Sequence, residues 1–584
     1  MQRLTTQIIQ MVKDTAFGFG IDVQLVEKLL QPAREFDQGD LTLPCFAFSK
    51  SQGRSPQDLA ESLAQAFPKH AALQDVIATN GYLNFRAHPT WLAETLLTQG
   101  HSFSSTRQPQ HVLIEHTSAN PNGPFHVGRA RNAILGDTLV RLHRLWGNTV
   151  TAEYYVDDMG KQVAVLAWAL EALNSEEVEA LLAQRDPPNL HWANKADHQR
   201  VRFYQAAQLL RNENARAAAI EDAVAQLVHA SEHGDSHVLK TFEAAYQPVL
   251  DGMLETLRRL GIEFDRFTKE STFVINGDVS SLMEHLATLD IHGQAENGAK
   301  YLDLGQRGLK GKTEFFYQRG DGSSLYATRD IAYHIWKGRQ ESHLINVLGE
   351  DHKLQAQQVG LTLEELGVSR PEVVFYSFIK LPEGKMSTRK GNVVFMDDLL
   401  EEAKAQAEAV VMGLRPDYTS EQISAIAEAV GTSAIRFNII NVSPEKGFTF
   451  RWEDALSFEG GSAPFVMYSH TRACSIQKNV IQIEPNLKFS NLQIPSELPT
   501  SLVTLLRHLA VHDDCLEKVL NEHRPHLFAE YLLQLATAYN AFYRDCHIIE
   551  DGQVNRFYYA VSESTRKVLH DGMIGLGVTP LDTM

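Results

Sequence analysis

A short apolar run, His111-Val112-Leu113-Ile114-Glu115, is followed by Leu135, Leu139, Leu142 and Trp146 at i, i+4, i+7 and i+11. A strand handing over to an amphipathic helix is the first half of a βαβ unit. The pattern returns downstream. Residues 342–349 and 373–378 read as strands, with a helical run to Gly367 between them. Strands that alternate with helices predict a parallel, doubly wound, Rossmann-like α/β sheet. The stretch from about 160 to 300 begins rich in Ala, Leu, Glu and Gln and reads as a helical insertion in that domain.

The flanks differ in character. Residues 1–108 read as a small α/β domain. There, Ser55-Pro56-Gln57-Asp58 is a helix start, and Asn80-Gly81 is a turn before the strand Tyr82-Leu83-Asn84-Phe85. The catalytic-type sheet spans 109–400, a helical junction 401–460 and an all-helical domain 461–584. With 584 residues, 43% hydrophobic and 22% charged, the chain has the composition of an ordinary globular protein. No segment reads as a signal peptide or membrane span. The four cysteines, Cys45, Cys474, Cys515 and Cys546, form no CxxC pair and point to a reducing compartment without a zinc knuckle. A net charge of −18 means that any nucleic-acid contact relies on local basic patches.

Two segments carry chemistry. His126-Val127-Gly128-Arg129 lies where the first strand gives way to its helix. A helix N-terminus favours an anion, His126 can donate to a phosphate, and Gly128 lets an adenine approach the main chain. Gly384-Lys385-Met386-Ser387-Thr388-Arg389-Lys390-Gly391 places cations and hydroxyls between two glycines, suited to a leaving pyrophosphate. Each has a plainer reading alone: a structural histidine, and a solvated basic turn. Their order on one chain favours the nucleotide reading.

The stretch 114–132, with Tyr154-Tyr155-Val156-Asp157-Asp158-Met159-Gly160-Lys161-Gln162 and Tyr326-Ala327-Thr328-Arg329-Asp330, resembles the arginyl-tRNA synthetases of class I. Arg129 replaces the second His of the class pattern HIGH, and Thr388 the second Lys of KMSKS; MSTRKG is a form found in the archaeal and eukaryotic type. The resemblance implies an arginine–tRNA ligase using ATP and Mg²⁺, with L-arginine and tRNA(Arg) as partners. It further implies a cytoplasmic monomer that contacts neither membrane nor DNA. His126, Gly128, Arg129, Lys385, Met386 and Ser387 become catalytic candidates. Asp351, His352 and Arg389 join His126, Gly128 and Lys385 as nucleotide contacts. Glu115, Ser118, Asn120, Tyr326 and Asp330 become the arginine pocket, where a planar guanidinium needs matching carboxylates. Without the resemblance, Tyr326 and Asp330 read sooner as a packed aromatic and a helix N-cap. Asp157 and Asp158, neighbours on a strand, face opposite ways and do not share an ion, so no protein metal site is expected.

The resemblance also makes the C-terminal part an anticodon-binding domain and the N-terminal part a tRNA-elbow domain. Tyr468, His470, Arg472, Asn84 and Phe85 are the RNA candidates. Tyr539, Phe542 and Tyr543, at helical spacing, read mostly as core. Two other readings stay open: a paralogue serving a biosynthetic pathway or inhibitor resistance, and an inactive tRNA-binding regulator. The intact His126, Gly128, Lys385, Met386 and Ser387 argue against the second.

Overall fold

The structure, a computed structural model, describes residues 2–17, 19, 21–33, 38–99, 108–183, 190–213, 217–341, 343–380, 394–457, 459–487, 489 and 492–584. The chain divides into two compact units. One comprises Met1–Ser104, Ser457–Gly575 and Thr579–Met584; the other comprises Ser105–Leu456 and Leu576–Val578.

The second unit is built on a five-stranded parallel sheet. Its strands are β1 (His111–Glu115), β2 (Thr149–Val156), β3 (Arg266–Lys269), β4 (His343–Gly349) and β5 (Glu372–Tyr376), in the order β5-β4-β1-β2-β3. Val112, Ile114, Val150, Ala152, Ile345 and Val347 make its interior, as expected of a sheet covered on both faces. Helix α1 (Val127–Leu145) follows β1 and buries Leu135, Leu139 and Leu142. Helices α2 (Tyr326–Gln340) and α3 (Lys353–Glu365) flank β4, and α4 (Met396–Leu414) follows β5. The strand order reverses between β1 and β4, the crevice where a doubly wound sheet presents ligands.

The composition that signals a helical insertion ends near residue 260, and so does its run of helices. Helices fill the connection from β2 to β3 up to Arg259, ending with Ser236–Arg259. Beyond that come β3 itself, the short helices Ser271–Ile275 and Asp278–Leu286, and a small antiparallel sheet of His292–Gln294, Lys300–Asp303 and Glu314–Gln318. These strands are too short, and too broken by turns at Gly298 and Gly308, to show a period.

A buried polar cluster ties the insertion to α4. Lys195 Nζ lies 2.7 Å from Asp397 Oδ2, 3.2 Å from Asp197 Oδ2 and 2.5 Å from Thr256 Oγ1; His198 Nε2 is 2.9 Å from Asp397 Oδ2. Asp197, His198 and Asp397 are the one group among the described residues with metal-ligand spacing. The lysine ammonium already fills that place. The same junction holds α1 in position. Val127 N donates to Val394 O at 3.0 Å, Met396 N to Phe125 O at 2.7 Å, and His126 bridges Phe395.

The helix Ser420–Ile440 is long and apolar enough to cross a membrane. It is nevertheless a core helix. Its Arg436, 1% exposed, donates to Asp137 Oδ2 (2.6 Å), Leu260 O (2.8 Å) and Leu576 O (3.2 Å) inside this unit.

In the other unit, the strands Gln31–Pro32, Leu41–Pro44, Tyr82–Ala87 and Leu73–Thr79 form an antiparallel sheet in that order. Asn80 and Gly81, at φ 50° and 80°, make the hairpin turn. Ser55 caps the helix Pro56–Ala66 as its sequence predicts, accepting from Asp58 N at 3.1 Å. Five long helices, from Ala463–Ile483 to Arg556–Leu576, make the C-terminal part. Arg507 pairs with the buried Asp40 of the sheet region at 2.9 Å, so both chain ends share one folded body.

Candidate active site

The loops at the carboxyl ends of β1 and β4 surround a cavity of about 660 Å³, the size of a small-molecule or nucleotide site. Glu115, Ser118, Asn120, His126, Gly128, Arg129, Tyr326, Asp330, Asp351 and His352 all line it. Lys385, Met386, Ser387 and Arg389 lie outside the described residues.

The loop after β1 is held in an unusual conformation. Thr117 and Ser118 have φ of 68° and 36°, a left-handed backbone that side-chain-bearing residues rarely adopt. Neighbours impose it. Thr117 N donates to Asn132 Oδ1 on α1 at 2.6 Å, and Ser118 Oγ accepts from Tyr155 N on β2 at 3.1 Å. The buried His116 packs so tightly on α1 that a Cβ on Gly136 would sit 2.2 Å from it. Burial holds His116 neutral, its pKa lowered to about 4. Farther along, Asn120 and Asn122 both donate to Gln162 Oε1, at 3.0 and 2.9 Å.

His126 is the N-cap residue of α1, and its side chain makes no cap hydrogen bond. It is half-buried, and burial followed by the nearby Arg129 lowers its pKa to about 4. A neutral imidazole therefore faces the cavity beside the guanidinium of Arg129. Gly128 has a structural reason as well: a Cβ there would meet His126 Nδ1 at 3.0 Å. Arg131 faces away from this role. Fully buried, it donates to the carbonyls of Ser377, Lys446, Val442 and Ser443 and fixes the end of β5.

The two pocket carboxylates are each engaged from behind. Lys337 Nζ reaches Glu115 Oε2 at 2.5 Å, and His334 Nδ1 lies 3.1 Å from Asp330 Oδ1. Burial opposes ionisation of Asp330, but His334 and Lys337 more than offset it and leave its pKa below the usual value. Tyr326 stands 44% exposed at the cavity wall. Asp351 and His352 are exposed on the turn after β4.

Glu270 is a residue that motif reading missed. It directly follows β3, is fully buried and ion-paired with Arg329, and its Oε2 has no hydrogen-bond partner among the described residues. Asp157 has an orphan buried Oδ1 and lies within hydrogen-bond reach of Glu270. Burial pushes both upward, Asp157 to about 6. Both act electrostatically on Tyr326, which lines the cavity. The signal for Glu270 was positional: an acid at the carboxyl end of a parallel strand.

The RNA candidates separate by exposure. Tyr468 is 44% exposed, and the Arg472 guanidinium lies 4.9 Å from its ring and 4.7 Å from that of Tyr543, forming an aromatic–cation surface. His470 is fully buried, with Nδ1 3.1 Å from Leu581 O, so it is a packing residue, not an RNA contact. Phe85 is likewise core, and Asn84 is buried with Oδ1 accepting from Thr42. The resemblance offers these two as RNA contacts, but both side chains are buried. The exposed aromatics beside them are Tyr82 and Phe46, in edge contact at 5.2 Å. Tyr539 and Phe542 are core, as helical spacing suggests, whereas Tyr543 is partly exposed.

Comparison with known proteins agrees along the whole length. The profile for the catalytic domain of class I (R) tRNA synthetases matches residues 92–452. The arginyl-tRNA synthetase N-terminal domain matches 2–87, and the DALR anticodon-binding domain 466–584. An arginine–tRNA ligase of Methanocella arvoryzae is 38% identical over 92% of each chain, and one of Methanococcoides burtonii 37% identical over 99% of each. The solved arginyl-tRNA synthetase of Thermus thermophilus has the same fold, with a TM-score of 0.80 over 100% of both chains at 24% identity. By matched domains, by identity and by length covered, this chain belongs to the class I arginyl-tRNA synthetase family.

Proposed function

We infer that this protein is an arginine–tRNA ligase that activates L-arginine with ATP and transfers it to tRNA(Arg). One observation carries the reading. A single cavity joins the neutral His126 and cationic Arg129 at a helix N-terminus to the carboxylates of Glu115 and Asp330. The first pair suits phosphates, the second a guanidinium.

Arginine lies with its guanidinium at Asp330, walled by Tyr326, and its amino-acid end toward Ser118 and Asn120. Its carboxylate oxygen attacks the α-phosphorus of ATP; that O–P bond forms as the bond to pyrophosphate breaks. His126 donates a hydrogen bond to a phosphate oxygen, Arg129 and Lys385 supply positive charge, and Gly128 gives the His126 ring its room. Met386, Ser387 and Arg389 belong to the same sequence motif as Lys385, and Asp351 and His352 border the nucleotide. Most of the rate enhancement comes from positioning and fixed electrostatics. The 2′-hydroxyl of the terminal adenosine then attacks the adenylate carbonyl, and AMP leaves. No side chain acts as a nucleophile.

Mg²⁺ accompanies ATP and screens its phosphate charge. The donor set fits such a loosely held ion. Glu115 and Asp330 are engaged by Lys337 and His334, which leaves the exposed Asp351 as a carboxylate for a hydrated Mg²⁺. Tyr468 and Arg472 offer a stacking surface for unpaired anticodon bases. Tyr82, with Phe46, offers another in place of Asn84 and Phe85. As the family resemblance implies, the enzyme works as a monomer in the cytoplasm, with neither membrane nor DNA as a partner.

Arginine-dependent pyrophosphate–ATP exchange, with and without tRNA, followed by tRNA charging, tests the assignment. Exchange and charging are expected. Exchange without charging would indicate a biosynthetic paralogue, and no exchange under either condition an inactive tRNA-binding regulator.

A further inference from the structure

Behind Asp330 and Glu115 runs a chain of buried polar groups that the reaction itself does not use. His334 and Lys337 project from α2, and Asn346 from β4; they are 4%, 0% and 3% exposed. Lys337 Nζ is 2.5 Å from Glu115 Oε2 and 3.0 Å from Asn346 Oδ1. Asn346 Nδ2 is 2.7 Å from His334 Nε2, and His334 Nδ1 is 2.8 Å from the Asp330 carbonyl and 3.1 Å from its carboxylate.

The direction of every bond in this chain is set by the lysine. An ammonium only donates. The Asn346 atom facing Lys337 must therefore be the amide oxygen, which turns the NH₂ group to His334. That group donates, so Nε2 of the imidazole accepts and carries no proton. The single ring proton sits on Nδ1, where it is shared between the Asp330 main-chain carbonyl at 2.8 Å and the carboxylate at 3.1 Å. Flipping the amide would set an NH₂ group against the ammonium. Protonating Nε2 would set two donors 2.7 Å apart.

We propose that His334, fixed as the neutral Nδ1–H tautomer by the Lys337–Asn346 pair, is a positioning residue that holds the Asp330 carboxylate oriented and without a counter-cation for the incoming guanidinium. Glu115 differs in that it already has its cation, Lys337. Selectivity for a cationic side chain thus rests on the asymmetry of the two acids: one directly ion-paired to Lys337, the other contacted by His334 and reached by the Lys337 charge only at longer range. A cationic His334 would satisfy Asp330 internally and weaken the demand for arginine. This inference rests on the reading that Asp330 receives the guanidinium.

The test is steady-state pyrophosphate exchange with arginine and ATP varied separately, on the full chain with tRNA present. His334→Leu removes the donor; loss of a hydrogen bond to a charged group should raise the KM for arginine about 10- to 100-fold and leave that for ATP within about twofold. His334→Asn returns an N–H near the Nδ1 position and should recover arginine KM to within about threefold of the parent. Equal rises in both KM values, or an unchanged arginine KM in His334→Leu, would overturn the proposal. An unchanged arginine KM in Asp330→Ala would instead remove the underlying reading. Because His334→Leu removes a buried side chain, ¹⁵N NMR of the unmodified enzyme gives a second measure. A resonance for His334 protonated at Nδ1 alone is expected, and one protonated at Nε2 would refute the tautomer.

Discussion

Thr117 and Ser118 show how much of the active site is held by its neighbours. A left-handed backbone at a non-glycine residue costs on the order of 1–3 kcal/mol. It persists here because Asn132 and Tyr155 bind the two residues from α1 and β2. His126 illustrates the electrostatic side. Its pKa, lowered to about 4 by burial and then by Arg129, leaves it neutral across the physiological range. A lowered histidine pKa places the charged form below that value, so its contribution should not change with pH above about 5. His126→Asn should lower the ATP–pyrophosphate exchange rate by about 10²-fold, and by the same factor at pH 6 and pH 8. A loss that shrinks as pH rises would mean that a cationic imidazole acts. Asp330→Ala should raise the KM for arginine by at least about 10²-fold and leave the KM for ATP nearly unchanged. Parallel losses in both would refute its assignment.

The elements that carry these residues were legible to different degrees. β1 and α1 announced themselves, because a fully buried strand is a continuous apolar run and a helix against a sheet repeats at three and four. β3 did not: Arg266-Phe267-Thr268-Lys269 is four residues long and half charged, and only its pairing beside β2 makes it a strand. With β3 hidden, Glu270 at its end was hidden too. The Lys195–Asp397 cluster was invisible for another reason, since it joins residues far apart in sequence. It makes its own prediction. Lys195→Met leaves Asp397 buried without its cation, which should destabilise the catalytic unit by about 3–5 kcal/mol. Lys195→Met with Asp397→Asn should recover part of that loss, because only Asp197 then remains buried without the lysine. Thermal unfolding of the single and double variants measures it; additive losses would show that the two residues do not act as a pair.

At the scale of the whole molecule, a chain with net charge −18 must read an RNA through local features. Arg472, between Tyr468 and Tyr543, is such a feature. Arg472→Ala should raise the KM for tRNA in charging about tenfold, as loss of a stacked cation implies. At saturating tRNA the KM values for arginine and ATP should stay unchanged. No change in the tRNA KM would remove this surface from RNA binding. Sequence marked the helix that bears it but not which side chains face out. His470 and Arg472 stand two positions apart, and helical geometry turns one inward and the other outward. In the sheet region, the resemblance marked Asn84 and Phe85, which are buried, while the exposed Tyr82 went unmarked.

The central claim is that one cavity holds ATP's adenylate beside a guanidinium met by Asp330. A crystal structure with a non-hydrolysable arginyl-adenylate analogue tests it most directly. The guanidinium should lie within hydrogen-bond distance of the Asp330 carboxylate, with the adenosine against His126 and Gly128. An analogue bound with its guanidinium away from Asp330, or outside this cavity, would contradict the account.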